Sequence, residues 1–559
     1  MAKLTPLAKG LITVTILAVT GAAAWHLGLK DLVSGDSADN NATNNTTANN
    51  NAANNNAGSS NAAASGDAVG TDKNPLKVSI VSFHGYAPAL LANGKSLTTK
   101  AGSIYDKQGV NIEFVIQDDI PALPTIFESG AAHCSWRTSD FWAQEHPNLK
   151  NAGLDARAVM VVDNTQGADA VITNDPSIKR IEDLAGKKVA MLEFTPSHGM
   201  MIDAVDNSSL SARKKKSVDF AFIAPDGGTA AVGAALVSGD VDAAALWDPD
   251  LSLAMKQLPN AQVVYSTKTA TNLIYDVMVC DSRVLDNPAN TGAIQDFVTG
   301  WMAGVDAAEK NPDEAVDALI QTEDFFAQLA KTEGKGFVKD LFKNLVWTGL
   351  EDNARILGMA GDTNHYERVY RRFDTIYRAA GALANPNTPV INPADSFDYQ
   401  YITKLLEADQ AAKTAAAKPE FTFSEAEREK VTAQAPQLTK PVEVNFASGS
   451  AAINKRSEKT IDDDMVPMIE NNGSAYFIVS GNTDSTGARG ANMALSKQRA
   501  QAVVDYLIKE WEFEASRFKV VGNGPDAPLC NEQNPDSEGL SLDECRSANR
   551  NTRLAILAR

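Results

Sequence analysis

The sequence predicts an α/β protein with two folded domains behind an N-terminal transmembrane helix, and three observations predict it. Strand-like and helix-like segments alternate from Leu76 to Leu246, which is typical of α/β layers built on a largely parallel sheet. A strand, a polar loop and an amphipathic helix follow one another from Tyr476 to Trp511. Residues 10–29 contain no Asp, Glu, Lys or Arg, and about twenty such residues can cross a bilayer.

Length and charge limit the function classes that fit. At 559 residues the chain is too long for one hydrophobic core, so two or three domains are expected. The formal net charge of -19 argues against nucleic acid or an anionic membrane surface as the main partner. The three histidines His84, His133 and His198 match no metal-ligand spacing, and no nucleophile–base pair is recognisable. The sequence therefore predicts a protein that is not an enzyme and has no metal or cofactor.

The N-terminal residues 1–35 carry the membrane signal. Lys3 and Lys9 precede the apolar run, so this end should stay cytoplasmic while the rest is exported. A signal peptide cut near residues 22–24 is one interpretation, and an uncleaved inner-membrane anchor is the other. The length of the run favours the anchor. Residues 36–73 are rich in Asn and Ala and have little to bury, so we expect a disordered tether.

The cysteines are few, and two of them lie close together in sequence. If the chain is exported, Cys530 and Cys545 are expected to form a disulfide that closes a short loop, worth roughly 3 kcal/mol. Two buried thiols are the alternative. Cys134 and Cys280 lie far apart, and no pairing is predicted for them.

Residues 74–410 contain an ordered series of motifs. They are Val78-Ser-Ile-Val-Ser-Phe-His-Gly85-Tyr86-Ala87-Pro88, Gly167-Ala-Asp-Ala170, Asp183-Leu-Ala-Gly-Lys-Lys-Val-Ala190, Thr195-Pro-Ser-His198, Gly239-Asp-Val-Asp242 and Trp247-Asp248-Pro249. This series resembles the solute-binding proteins of nitrate, sulfonate and taurine ABC importers. The resemblance implies a two-lobed type II periplasmic-binding-protein domain that closes over a small solute by a hinge.

The same resemblance indicates where the solute would bind. Ser197 and His198 are expected at a helix N-terminus, which suits an anionic group, so an anionic or zwitterionic solute is expected. Asp248 either contacts the solute or caps the next helix, and Arg137 either pairs an anion or forms a surface salt bridge. The residues expected to line the pocket are Ser82, His84, Tyr86, Asp118, Ser139, Ser197, His198, Trp247 and Asp248.

Residues 411–440 are expected to be a linker, and residues 441–559 a second domain whose first strand is Val442–Phe446. This domain contains Gly481-Asn-Thr483-Asp484-Ser-Thr-Gly487, followed by Asn492-Met-Ala-Leu-Ser-Lys-Gln-Arg499-Ala500. The pattern resembles the α+β OmpA-like peptidoglycan-binding domain.

This second resemblance implies a site for diaminopimelate in the peptidoglycan stem peptide. Asp484 would take its ammonium and Arg499 its carboxylate, while Thr483 and Asn492 support the loop. The alternative is that Asp484 and Arg499 pair with each other. The last strand allows two alignments of the supporting arginine, and Arg553 is the expected one.

Together these features predict a periplasmic, envelope-anchored solute-binding protein that also binds peptidoglycan without covalent attachment. An ABC permease is an expected partner, besides the solute, the peptidoglycan and the inner membrane. The alternative is a structural wall-tethering protein whose solute-binding fold acts as a sensor or docks another protein.

Overall fold

The structure is a computed structural model that describes residues 68–360, 363–416 and 421–559. The predicted anchor and most of the predicted tether lie outside these ranges. Within them, no helix is both long enough and apolar enough to cross a membrane.

The described residues form strands that assemble into three sheets. The strands are β1 Leu76–Ile80, β2 Ile112–Ile116, β3 Cys134–Thr138, β4 Ala156–Thr165, β5 Asp169–Thr173, β6 Lys188–Met191, β7 Asp219–Phe222, β8 Ala243–Trp247, β9 Gln262–Ser266, β10 Tyr275–Asp281, β11 Leu345–Trp347, β12 Leu438–Val442, β13 Tyr476–Asn482, β14 Phe518–Gly524 and β15 Thr552–Leu557.

Helices cover these sheets and form a largely helical region after β10. The helices are α1 Ala87–Ala92, α2 Ile104–Gln108, α3 Thr125–Ser129, α4 Ser139–Asn151, α5 Pro196–Asp206, α6 Ala212–Lys215, α7 Gly228–Ser238, α8 Asp250–Gln257, α9 Ser282–Leu285, α10 Thr291–Lys310, α11 Pro312–Thr322, α12 Asp324–Thr332, α13 Lys335–Leu341, α14 Leu350–Ile356, α15 His365–Ala380, α16 Gln400–Ala408, α17 Gln410–Ala416, α18 Glu425–Thr432, α19 Lys455–Asp464, α20 Val466–Asn471, α21 Arg489–Trp511 and α22 Leu542–Asn549.

Two of the sheets form two lobes. The first lobe has the strand order β11-β4-β10-β3-β1-β2, and the second has β7-β6-β8-β5-β9. The chain passes between them twice, from β4 to β5 and back from β9 to β10. Both sheets are mixed, so the expectation of a largely parallel sheet is wrong: β10 and β11 run antiparallel to β4, and β5 runs antiparallel to β8 and β9. The antiparallel pairs of β10 arise because this strand carries the chain back from the second lobe.

The third sheet belongs to the C-terminal fold and has the order β12-β15-β13-β14. Its first strand is Leu438–Val442, whereas a strand over Val442–Phe446 was expected. Leu438 and Val442 are buried against antiparallel β15, and the chain leaves the sheet after Val442. Helix α21 packs on β13 and β14 with Val503, Val504 and Leu507 buried, as its helical spacing predicts.

The C-terminal fold packs directly on the second lobe. The Asn272 side chain donates to the Glu470 carbonyl at 2.8 Å, and the Tyr265 hydroxyl donates to Asn472 Oδ1 at 3.2 Å. The Thr439 amide donates to Glu182 Oε1 at 2.9 Å. These bonds are largely shielded from solvent, so the two folds share a continuous interface.

Two disulfides cross-link the molecule. Cys530 and Cys545 are bonded, as the sequence predicts. Cys134 and Cys280 are also bonded; they lie on β3 and β10 and face each other in the antiparallel register. Their separation of 146 residues hides this second pairing from the sequence, because only the fold makes β10 the neighbour of β3.

Candidate functional site

The junction between the two lobes is lined by carboxyl groups from four chain segments. Asp140 lies in the first turn of α4, Asp163 near the end of β4, Asp169 at the start of β5 and Asp276 near the start of β10, and each is at most 4% exposed. Asp163 and Asp276 are directly opposed across the antiparallel pair, so their side chains share one face of the sheet. The Tyr86 hydroxyl donates to Asp276 Oδ2 at 2.7 Å.

These four groups are held with raised pKa values. Burial raises the pKa of Asp140 to about 6 and that of Asp276, with the help of nearby Asp140, to about 7. Burial and the charges of Asp276 and Asp169 raise the pKa of Asp163 well above its usual range. The pKa of Asp169 is raised by burial and by neighbouring aspartates. The junction therefore favours neutral carboxyls, or a positive partner, over free carboxylates.

Helix α15 closes this junction with Tyr377. Its hydroxyl donates to the Thr195 carbonyl in the second lobe at 2.8 Å and lies 3.3 Å from Asp140 Oδ2 in the first lobe. A Cβ on Gly199 would lie 2.6 Å from this hydroxyl, so Gly199 makes room for the ring. Tyr377 is not predicted from the sequence, because nothing in the local pattern of α15 places it between two lobes.

Three of the expected pocket residues lie around these carboxyls. Tyr86 contacts Asp276, and the Ser139 hydroxyl accepts from the Tyr275 amide at 3.3 Å. Trp247 is half-buried and is the register partner of Asp169.

Asp248 instead connects the start of α8 in the second lobe to the segment before β11 of the first lobe. It is fully buried, accepts from the Ser252 amide at 3.0 Å as a cap of α8, and accepts from Asn344 Nδ2 at 2.7 Å. Of the two roles considered for Asp248, capping is the one that these contacts describe.

Ser82 and Asp118 contact each other rather than the central carboxyls. Asp118 accepts from the Ser82 amide at 2.7 Å and from its hydroxyl at 2.9 Å. The ring of His84 is buried beside Phe83 and Phe342, and this burial lowers the pKa of His84 to about 3. His84 is therefore a neutral core residue in this structure.

The predicted anion site at α5 has a different local structure from the one expected. His198 Nδ1 accepts from the Phe194 amide at 3.0 Å, and its ring packs edge-on against Phe220 and Phe222. Burial lowers the pKa of His198 to about 4, so the ring is neutral near pH 7. Ser197 is fully buried, and its hydroxyl has no hydrogen-bond partner among the described residues.

Arg137 forms neither of the pairs considered for it from the sequence. It is fully buried and its Nη2 donates to Glu145 Oε1 at 2.8 Å, while Nη1 donates to the Ser135 hydroxyl at 2.8 Å. The guanidinium is thus already neutralised inside the first lobe.

In the C-terminal fold, Asp484 lies in the loop between β13 and α21. Its Oδ1 accepts from the Thr486 amide at 2.9 Å, and its Oδ2 accepts from Arg550 Nη1 at 2.6 Å. Asn492 donates to the Thr486 carbonyl at 2.9 Å, and the Thr483 amide donates to the Gly524 carbonyl at 2.9 Å. The loop is therefore held by Thr483 and Asn492, while the Asp484 side chain is mostly buried, with 13% exposed.

Arg499 lies on α21 and does not pair with Asp484. Its Nε donates to the Ser450 carbonyl at 2.9 Å, and its guanidinium lies 5.1 Å from the centre of the Phe446 ring. Partial burial lowers its pKa. The ion pair between Asp484 and Arg499 that was considered from the sequence is thus absent from the described residues, and the guanidinium of Arg499 is held by carbonyl groups and a ring instead.

The arginine beside Asp484 is Arg550, which corrects the choice of Arg553. Arg553 is directed to the Ala527 carbonyl and to Asn551 Oδ1, and burial lowers its pKa to about 10. Arg550 precedes β15, where the chain can turn towards the loop, whereas Arg553 is committed to the strand. The ion pair between Arg550 and Asp484 fits the other of the two possible alignments of the supporting arginine near the last strand.

The disulfide-closed loop supports the same region. Glu532 accepts from the amide and hydroxyl of Ser485, next to Asp484, and from Arg546 and Asn549. Burial acts to raise the pKa of Glu532, but these donors lower the pKa to about 2. Glu532 therefore connects the loop that contains Cys530 and Cys545 to the loop that contains Asp484.

Comparisons with known families agree with this division of the chain. Residues 445–539 match the OmpA family, and residues 98–315 match the NMT1/THI5 like family. The chain therefore combines an NMT1/THI5-like domain with a C-terminal OmpA-family domain.

Two curated proteins are similar to the C-terminal part. The probable lipoprotein YiaD of Escherichia coli is 35% identical over 102 residues, which are 18% of this chain and 45% of that protein. Outer membrane porin F of Pseudomonas aeruginosa is 39% identical over 64 residues, 11% of this chain and 18% of that protein. The chain thus spans less than half the length of each of these relatives.

Two solved structures are similar to the two-lobed part. The periplasmic aliphatic sulphonate binding protein SsuA of Escherichia coli is 16% identical, with a TM-score of 0.44, and the match covers 58% of this chain and 97% of that one. The alkanesulfonate-binding protein SsuA of Xanthomonas axonopodis pv. citri, bound to MOPS, is 15% identical, with a TM-score of 0.42, and the match covers 58% and 98%.

Proposed function

We propose that this chain is a non-enzymatic periplasmic solute-binding protein that its C-terminal domain holds at the cell wall. The observation that carries the proposal is the union, in one chain, of an NMT1/THI5-like domain with an OmpA-family domain. Two lobes joined by two crossing segments form an architecture that can close over a small molecule. The buried polar groups at the lobe junction support a binding role, because such groups are costly unless a ligand or protons satisfy them.

Solute capture is tested by equilibrium binding to the full chain. The panel contains alkanesulfonates, nitrate, amino acids and thiamine precursors, and binding is measured by titration calorimetry with small-angle scattering as the readout of lobe closure. Saturable binding accompanied by compaction is expected for at least one class. A chain that binds nothing in this panel, and does not change its scattering, would contradict solute capture.

Wall attachment rests on Asp484 and Arg499 as the groups that hold diaminopimelate. Their charges are opposite and do not neutralise each other, so a ligand with both an ammonium and a carboxylate can use both. Asp484→Ala and Arg499→Ala are each expected to abolish retention by purified peptidoglycan. Arg489→Ala is the matched control, because Arg489 lies on the same helix but is exposed and paired with Asp526.

The second candidate function is a wall-tethering sensor. The observation that favours it is the shared interface between the C-terminal fold and the second lobe, since lobe movement would reach the wall-binding domain through it. Solute binding that alters peptidoglycan retention would support the sensor, and retention that is independent of solute would support simple capture.

Membrane anchoring and delivery to an ABC permease complete the proposal. The positive flank and apolar run of residues 1–35 support an uncleaved inner-membrane anchor. An intact-mass measurement of the protein isolated from envelopes distinguishes the anchor from a cleaved signal peptide. Crosslinking of the solute-loaded protein to membrane proteins tests for the permease.

A further inference from the structure

The carboxyl groups at the lobe junction point to a solute of opposite charge to the one expected from the sequence. Asp140, Asp169 and Asp276 come from three different segments and meet inside the molecule. The charges that act on them are those of other aspartates. Arg137, which acts on nearby Tyr86, is already paired with Glu145. A sulfonate or nitrate placed here would meet like charge in a poorly solvated site.

Asp163 provides an independent indication of a ligand. Its side chain is fully buried and directed into this cluster, and neither of its oxygens has a hydrogen-bond donor among the described residues. Its Oδ2 lies only 1.9 Å from the position that a Cβ on Gly85 would take. Gly85, in the turn after β1, therefore lets the backbone pack against the carboxylate at a point where a side chain would displace it. Buried acceptors of this kind normally have a partner.

Aromatic residues border the same carboxyls. Trp347 on β11 is the register partner of Asp163, which brings their Cβ atoms to within about 5 Å. Tyr86 contacts Asp276 through its hydroxyl. Carboxylates combined with aromatic rings are the groups that bind substituted ammonium ions in proteins, through charge and through the ring faces.

We propose that the lobe junction binds the positively charged nitrogen of an organic cation, with Asp163 and Asp276 as its direct partners and Tyr86 and Trp347 beside it. The cation offsets the repulsion between two carboxyls that face each other across neighbouring strands. Entry requires the lobes to separate at Tyr377, which contacts both of them. This inference rests on the proposed solute capture and names the charge of the solute.

Titration calorimetry of the full chain with four probes tests the inference, with EDTA present to remove divalent metals. The probes are putrescine and choline as cations, taurine as a zwitterion, and ethanesulfonate, which is taurine without its ammonium. At least one cation or taurine is expected to bind, and ethanesulfonate is not. Asp163→Asn should weaken that binding by at least about tenfold, because it removes a buried charged acceptor of nearly the same shape.

Two further variants make the result interpretable. Asp306→Asn removes one negative charge from an exposed position on α10 and should leave binding unchanged. Asp169→Asn repeats the test on another strand. Thermal unfolding of each unliganded variant checks the fold, and Asp163→Asn should be at least as stable as the parent, because it removes like-charge repulsion.

The outcomes separate the inference from the proposed function. Binding of ethanesulfonate or another anion alone, unchanged or tighter in Asp163→Asn, would overturn the cation site and leave solute capture intact. Cation binding that Asp163→Asn and Asp169→Asn leave unchanged would also overturn it. Failure of all four probes and of the broader panel would overturn both.

Discussion

Asp484 already holds a guanidinium, and this contact identifies Arg550 as the arginine that supports the loop of Asp484. Its Oδ2 accepts from Arg550 at 2.6 Å, although half of the Arg550 side chain is exposed. An ion pair at such a position contributes little to stability, so its effect should appear in ligand binding. In the proposed diaminopimelate site, Arg550 would orient the carboxylate for the ammonium of the ligand and share its charge with the ligand carboxylate.

We therefore predict that Arg550→Ala reduces retention by purified peptidoglycan while leaving the unfolding temperature within a few degrees of the parent. Arg553→Lys is the comparison, because it keeps a positive charge on β15, away from Asp484. A pull-down with both variants measures the difference. If both variants lose retention equally, or if only Arg553→Lys loses it, the arginine that supports the Asp484 loop is the one on β15.

The junction carboxyls make a second prediction, about the pH dependence of stability. The pKa of Asp276 is raised to about 7 by burial and Asp140, whereas an exposed Asp in the unfolded chain has a pKa near 3.8. The folded state therefore binds more protons between these values. The contribution of Asp276 is fully present below pH 3.8 and is lost as the pH rises through 7.

Asp276→Asn should remove the loss of stability that ionisation of Asp276 causes as the pH rises through 7, because an amide can still accept from Tyr86 and does not ionise. In urea unfolding of the unliganded protein, the variant is expected to be more stable than the parent at pH 8, by on the order of a few kcal/mol, and to differ little at pH 4. Asp306→Asn on the exposed face of α10 serves as the control, because it makes the same substitution at a carboxylate that is not buried. A variant less stable than the parent at pH 8 would contradict the argument.

The packing of β13 against α21 depends on a glycine. A Cβ on Gly481 would lie 2.0 Å from the Ser496 carbonyl oxygen, which is a backbone atom and cannot rotate away. The strand and the helix that flank the wall-binding loop are thus in backbone contact at this point. Their spacing sets the distance between Asp484 in the loop and Arg499 on the helix.

Gly481→Ala is accordingly expected to separate α21 from β13, to destabilise the protein by about 1–3 kcal/mol, and to weaken peptidoglycan retention. Gly490→Ala is the matched control, since a Cβ there meets nothing within 4 Å and alanine favours the helix. Urea unfolding and the pull-down measure both effects. Similar stability for the two variants would show that the helix can shift without cost.

Local patterns predicted most of these elements, and contacts between distant segments explain what they missed. Strands such as β1, β5 and β8 have buried apolar runs whose period is visible in the sequence. The bounds of β12 differ from the expected ones because its pairing with β15, more than a hundred residues later, determines which residues form the strand. Tyr377 could not be predicted to lie at the lobe junction, because its partner Thr195 is 182 positions away.

The described residues form a two-lobed fold with a C-terminal fold docked on its second lobe. Besides the bonds of Asn272 and Glu182, Arg368 on α15 forms an ion pair with Glu470 and stacks near Trp511. Helix α15 thus contacts the lobe junction through Tyr377 and the C-terminal fold through Arg368. A change at the junction has a direct physical route to the C-terminal fold.

This arrangement predicts cooperative unfolding of the two folds. Asn272→Ala removes a buried hydrogen bond to the Glu470 carbonyl, and it should separate one calorimetric unfolding transition into two or widen it. Asn260→Ala, exposed on the same lobe, should leave the transition unchanged. If Asn272→Ala also keeps the parent transition, the two folds are joined by contacts other than this one.

The bond between Cys134 and Cys280 limits the cellular compartment in which the cross-linked protein can form. It joins β3, which leads into Asp140, to β10, which carries Asp276, so two first-lobe segments of the junction are covalently linked. Such bonds form in oxidising compartments and are rare in the cytosol. Chain made and kept in the cytosol would contain every residue of the junction yet lack this cross-link, so the export proposed above would also complete the covalent structure of the first lobe.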